Sequence, residues 1–142
     1  MGFKVFIDAN CLLDLTLQRG GFQNANIIIQ EGLNGKIKLY TSPAILHVVA
    51  YYTTQQYKKH QSKQIILTLL NDITIIDCDH GTALIAMNSS FEDVEDALQY
   101  YTALKHAMDY FISGDKKLKS CSVPQLPVFT MGEFVKQLKV IS

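Results

Sequence analysis

Short runs of β-branched and aromatic residues alternate with longer stretches of helical spacing along the whole chain, and this alternation restricts the fold more than any single motif does. Strands are expected at residues 4–7, 37–41, 73–76, 110–112 and 128–129. Helices are expected at 11–18, 24–34, 43–57, 61–70, 79–88, 92–107 and 131–139. The boundaries have chemical causes. Gly20-Gly21 breaks the first helix and Gly35 ends the second. Ser42-Pro43 opens the third, because the hydroxyl caps free N–H groups and proline is tolerated in a first turn. Strands separated by helices call for right-handed βαβ crossovers and a mainly parallel sheet. The expected fold class is therefore α/β, a three-layer α/β/α arrangement around a mainly parallel sheet of four to five strands. At 142 residues the chain is long enough to bury one core and too short for two, so residues 1–142 are expected to form a single domain.

Charge narrows the classes further. Charged residues make up 18% of the chain, below the roughly 25% usual for soluble domains, which favours a sheet covered on both faces and accommodates an apolar subunit contact. The formal net charge is +0, so contact with a polyanion has to come from a local basic patch rather than from the field of the whole molecule. Cys11, Cys78 and Cys121 lie far apart without a CxxC pair and suggest neither a disulfide framework nor a zinc site. No basic-then-apolar leader opens the chain, and no apolar run approaches the ~18 residues needed to span a bilayer. The expectation is a soluble, unprocessed protein of a reducing cytoplasm, without a membrane partner.

In parallel sheets functional groups gather at the carboxyl ends of the strands, near the point where strand order reverses. Asp8 and Asp115 each follow an expected strand, and Asp96 lies about one turn into a helix. Three segments distant in sequence thus offer carboxylates to one place. Hard divalent cations such as Mg²⁺ or Mn²⁺ prefer oxygen ligands, so carboxylates without Cys or His suit such an ion. Each residue also has a plainer reading. Asp8 can cap the following helix, Asp96 can be a solvated position in an acidic run, and Ser113-Gly114-Asp115 can be an ordinary turn. Lys116, Lys117 and Lys119 can grip a phosphate backbone or simply face solvent. The cluster Asp77-Cys78-Asp79-His80 is read as structural, with Asp79 as a helix cap, because adjacent residues at a strand end cannot all face one ion.

Three segments carry a family resemblance. They are Val5-Phe6-Ile7-Asp8-Ala9-Asn10 with Leu12-Leu13-Asp14-Leu15, then residues 91–100 (FEDVEDALQY), then residues 107–115 (AMDYFISGD). In order and spacing the chain resembles the PIN-domain nucleases, particularly the bacterial branch of VapC-like toxins, over essentially its whole length. The resemblance implies a compact PIN-like, Rossmann-like fold that hydrolyses phosphodiester bonds in RNA with Mg²⁺ or Mn²⁺. Mapped residue by residue, it implies catalytic and metal-holding roles for Asp8, Asp96 and Asp115, and supporting roles for Asn10 and Ser113. Lys116 and Lys117 become candidate substrate contacts. The family's remaining acid is a Glu in the helix after the second strand, and that position here holds Val48. Glu92 and Asp93, four and three positions before Asp96 and so able to share its helical face, are candidates to supply the missing charge. The resemblance also implies a homodimer and an antitoxin protein that covers the acidic pocket.

The leading expectation is a metal-dependent endoribonuclease, the toxin of a toxin–antitoxin pair. An alternative is a catalytically impaired PIN-fold module that binds RNA or protein. A third class, a phosphatase of the haloacid-dehalogenase type, also begins with a strand ending in Asp, but needs an acid two residues on, where this chain has Asn10.

Overall fold

The structure is a computed structural model and describes residues 2–141. In chain order it contains β1 (Phe3–Ile7), α1 (Ala9–Thr16), α2 (Phe22–Leu33), β2 (Ile37–Thr41), α3 (Pro43–Gln56), α4 (Lys59–Leu70), β3 (Ile73–Ile75), α5 (His80–Met87), α6 (Val94–Lys105), β4 (Tyr110–Ile112), α7 (Lys116–Ser120), β5 (Val128–Phe129) and α8 (Met131–Ile141). The five strands form one sheet in the order β3-β2-β1-β4-β5, and every pairing is parallel. Helices flank it, as the alternation in the sequence requires. The chain first builds outward from β1 to β3, then returns to place β4 on the other side of β1. The crevice at the carboxyl ends of β1 and β4 is thus the switch point of the sheet.

The inner strands are apolar because both their faces are covered. Val5, Phe6 and Ile7 are fully buried, and Phe6 stacks on Phe111 of the neighbouring β4 with ring centroids 4.9 Å apart. Tyr100 of α6 packs on Phe111 at 5.6 Å, and its hydroxyl donates to the Leu126 carbonyl at 2.7 Å while accepting from Val123 N–H at 2.8 Å. That buried side chain fixes α6 against the sheet and carries Asp96, one turn earlier, to the strand ends. At the edge of β1, the Thr41 hydroxyl donates to the Ile7 carbonyl at 2.9 Å. Ser42 caps α3 by accepting from Ile45 N–H at 3.3 Å, and its hydroxyl also donates to the Gln99 side chain. Gly35 follows α2 at φ +79°, the left-handed stop that its position after an apolar helix suggested.

Two differences from the sequence expectation bear on the site. The helix expected at 92–107 begins at Val94, with Asp93 as its N-cap accepting from Asp96 N–H at 2.9 Å. Glu92 therefore precedes the helix and does not share a helical face with Asp96, because an aspartate with a free N–H three residues ahead favours capping over continuing the turn. The lysine-rich segment after Asp115, for which the sequence suggested no element, is a five-residue helix. Among the described residues no helix is long and apolar enough to cross a membrane.

Candidate active site

Asp8 ends β1 and is the N-cap of α1: its Oδ1 accepts from Cys11 N–H at 3.1 Å. Ser113, on the segment leaving β4, lines the same cavity as Asp8, and its hydroxyl accepts from Asp115 N–H at 3.1 Å. Ser113 thus stands between the acid after β1 and the acid after β4 at the switch point. Burial is the main influence on Asp8 and raises its pKa to about 6; the nearby Asp14 charge adds to the rise, while the Cys11 and Ser113 hydrogen bonds oppose it.

Asp115 caps α7 through bonds from Lys117 N–H at 2.8 Å and Leu118 N–H at 3.3 Å, both to Oδ1. It lines the same cavity as Asp96. Desolvation is the largest cause that pushes the Asp96 pKa up, to about 7, followed by the neighbouring Asp115 carboxyl and the negative charges of Asp93 and Glu95. Acids so placed repel each other when charged, and a cation would relieve the repulsion.

Two adjoining cavities meet at Asp96. The larger, about 650 Å³, is lined by Glu92, Asp93, Asp96, Asp115 and Lys117. The smaller, about 230 Å³, holds Asp8, Asn10, Val48, Glu95, Asp96 and Ser113. The segments expected to converge therefore reach one edge of the sheet. They do not enclose an ion as they stand: among the described residues, no three Asp, Glu, His or Cys side chains are grouped closely enough to hold one. The physical reason lies in the caps, since Asp8 and Asp115 each spend an oxygen on a helix N-terminus. The donor set nevertheless fits Mg²⁺ or Mn²⁺. The acids offer only oxygen, the ligand atom a hard divalent cation prefers.

The remaining expected residues divide between the two cavities. Asn10 and Ser113 line the Asp8 side, and Lys117 the other. Lys116 is exposed and lines neither cavity. Glu92 and Asp93 stand beside Asp96 and Asp115, away from Val48. The acid that shares the Val48 cavity is Glu95, which sequence reading passed over in favour of its neighbours. The available signal was the spacing: Glu95 and Gln99 are four apart on one helical face whether the helix begins at 92 or at 94. Asp79 behaves as expected of a cap, accepting from Thr82 N–H at 2.8 Å and from Lys105 Nζ at 3.0 Å, and its pKa is lowered by the Thr82 hydrogen bonds first and then by Lys105.

Comparison with known proteins agrees with this geometry. Ribonuclease VapC1 of Aquifex aeolicus is 29% identical over 140 residues, covering 94% of each chain. The solved structure of VapBC2 from Rickettsia felis, bound to a promoter DNA fragment, superposes with TM-score 0.68 at 14% identity over 90% of this chain and 98% of that one. VapC20 of Mycobacterium tuberculosis, described as a toxin that cleaves the sarcin-ricin loop, gives 0.64 at 9% identity over 85% and 97%. A family model, the PIN domain, matches residues 4–117. That match takes in the strand ending at Asp8, the acidic start of α6 and the turn at Asp115, and the chain belongs to the PIN domain family.

Proposed function

We propose that this protein is a metal-dependent endoribonuclease and the toxin of a toxin–antitoxin pair. The observation that carries the reading is that Asp8, Asp96 and Asp115 line two adjoining cavities at the switch point, with Asp96 common to both. Burial and neighbouring negative charge raise the Asp96 pKa to about 7, a cost that a bound cation would relieve. The relatives support the substrate class, since ribonuclease and toxin activities are attached to proteins of this length and fold.

Asp96 and Asp115 would hold Mg²⁺ or Mn²⁺, with Asp8 and Glu95 approaching from the adjoining cavity and Glu92 and Asp93 from the other side. Bound there, the ion would supply positive charge against the negative charge that builds on a phosphodiester under attack. The chain's own residues do the rest. The Cys11 N–H orients the Asp8 carboxylate, which is ionised above about pH 6. Asp96 keeps its proton until the pH nears 7. Lys117 offers an ammonium to the phosphate chain from the larger cavity. We assign the protein to the cytoplasm and expect a homodimer and an antitoxin that covers its acidic cleft; a structural relative from Klebsiella pneumoniae was solved as a toxin–antitoxin complex, which supports the antitoxin alone.

Val48 favours a second reading, a binding module that retains RNA affinity without cleavage, since that wall of the smaller cavity carries no acid. Incubation of single-stranded RNA with the protein and Mn²⁺ separates the two. Cleavage that Asp8→Asn abolishes supports the nuclease; RNA binding without turnover supports the module, and neither binding nor turnover sinks both.

A further inference from the structure

The chain has a single arginine, Arg19, and the fold fixes it beside the Asp8 cavity. Gln18 adopts φ +52°, a left-handed conformation that is strained for a non-glycine residue. This bend lets Arg19 N–H donate to the Asp14 carbonyl at 3.0 Å and turns the side chain back over α1. Its Nε donates to Asp14 Oδ1 at 2.9 Å, and its Nη2 to Asn10 Oδ1 at 3.4 Å. Gly21 makes room for this arrangement. A Cβ there would lie 2.1 Å from Asp14 Oδ2 and 2.7 Å from Met131 Cε.

A plain ion pair does not account for these features. The Arg19 side chain is 43% exposed, so solvent screens the pair, which returns little against the strain of the left-handed residue beside it. What the arrangement does is hold a guanidinium in one place. Asp14 anchors its Nε edge, Asn10 connects it to the rim of the cavity that contains Asp8, and its remaining N–H groups take no other acceptor among the described residues. A guanidinium so presented matches a phosphate, which it can bind through two parallel hydrogen bonds. Lys117 lines the other cavity, with Asp96 and Asp115. Each cavity thus has a cation, Lys117 on one wall and Arg19 at the rim of the other through Asn10, and Asp96 is common to both.

We propose that Arg19 grips a phosphate of single-stranded RNA on the Asp8 side of the cleft, so that the sugar-phosphate chain crosses the acids between Arg19 and Lys117. This assignment rests on the ribonuclease reading and adds to it the path of the substrate and the residue that holds one end of it. Arg19 is a binding residue here, fixed by Asp14 and Asn10.

Fluorescence anisotropy of a labelled single-stranded RNA oligonucleotide tests it, with Asp8→Asn protein in Mn²⁺ so that the RNA stays intact. Arg19→Gln in that background should weaken binding about tenfold and reduce the slope of log Kd against log salt by about 0.7, the contribution of one phosphate contact on a single strand. Arg19→Lys should keep the slope and recover only part of the affinity, because an ammonium lacks the planar fork. Asp14→Asn should keep the slope too, with a small loss of affinity as the anchor loosens. In protein with Asp8 intact, Arg19→Gln should raise KM more than it lowers kcat. If Arg19→Gln lowers the melting temperature but leaves affinity and salt slope unchanged, the residue only pins its loop and the proposal is overturned. If Arg19→Gln fails to fold, the Arg19→Lys and Asp14→Asn pair decides: a lost slope in either overturns it. Cleavage of RNA by the parent chain is scored separately, so an active nuclease with an indifferent Arg19 removes this inference alone. A parent that neither binds nor cleaves RNA removes both.

Discussion

Asp96 and Asp115 line one cavity, although one lies in the first turn of α6 and the other caps α7 beyond β4. Acids from distant segments so brought together repel each other when both are charged, and a cation would relieve that repulsion. Mn²⁺ added at pH 8, above the Asp96 pKa of about 7, should raise the melting temperature by roughly 10 °C at a hundredfold excess over Kd. Asp96→Asn and Asp115→Asn should each fold and each lose most of this response, read by thermal unfolding with and without the ion. A full response in both variants would place the ion elsewhere.

Asp8 gives a pH dependence of definite sign. Its pKa in the folded protein, about 6, exceeds the ordinary 3.8, so the folded state holds the proton more tightly than the unfolded one. The stabilisation from this group is complete below pH 4 and is lost as the pH rises from about 4 to about 6. Asp8→Asn should therefore match the parent at pH 4 and exceed it at pH 8 by at most about 3 kcal/mol, since each pKa unit corresponds to about 1.4 kcal/mol. The same substitution should reduce RNA cleavage at least about a hundredfold. Chemical denaturation at the two pH values checks the first claim; no gain at pH 8 would make Asp8 a cap and nothing more.

Glu95 and Glu92 should separate by cavity. Glu95→Gln removes an acid from the space that contains Asp8 and Val48, whereas Glu92→Gln acts on the other side of Asp96. Calorimetric titration should give about a tenfold weaker Mn²⁺ affinity for Glu95→Gln and a smaller change for Glu92→Gln. Val48→Glu, made together with Glu95→Gln, should recover affinity from the facing wall. Equal effects of the two Gln variants would mean that the site does not extend into the Asp8 cavity.

Tyr100 supplies a control that touches stability alone. Tyr100→Phe leaves the Val123 N–H and the Leu126 carbonyl without their buried partner and should cost about 1–3 kcal/mol in urea unfolding. Cleavage per folded molecule should stay within about twofold of the parent. A large loss of activity at unchanged stability would tie α6 placement to catalysis more tightly than packing suggests.

The sheet was legible in the sequence because its strands are short apolar runs separated by capped helices, and Asp8 and Asp115 could be placed at strand ends from that alone. Asp93 was harder to read. Its side chain competes with the backbone for the N–H of Asp96, and that competition moves the helix start by two residues, changing which acids share a face with Asp96. The five residues of α7 are too few to display a period, so the helix that Asp115 opens had no pattern to announce it. Arg19 carries no motif; its position depends on the left-handed turn at Gln18 and on Asp14 lying under Gly21, both set by tertiary packing.

Because Asp8 and Asp115 start helices as well as face the cleft, alanine at either position would remove two things at once. A missing cap costs on the order of 1 kcal/mol, enough to thin the folded population of a marginal protein and to mimic a chemical defect. Asparagine keeps the geometry of the cap and deletes only the charge, so a scan of this protein with alanine and one with asparagine would rank the same side chains differently. Inactive natural variants of such a chain should accordingly carry Asn at these two positions more often than Ala.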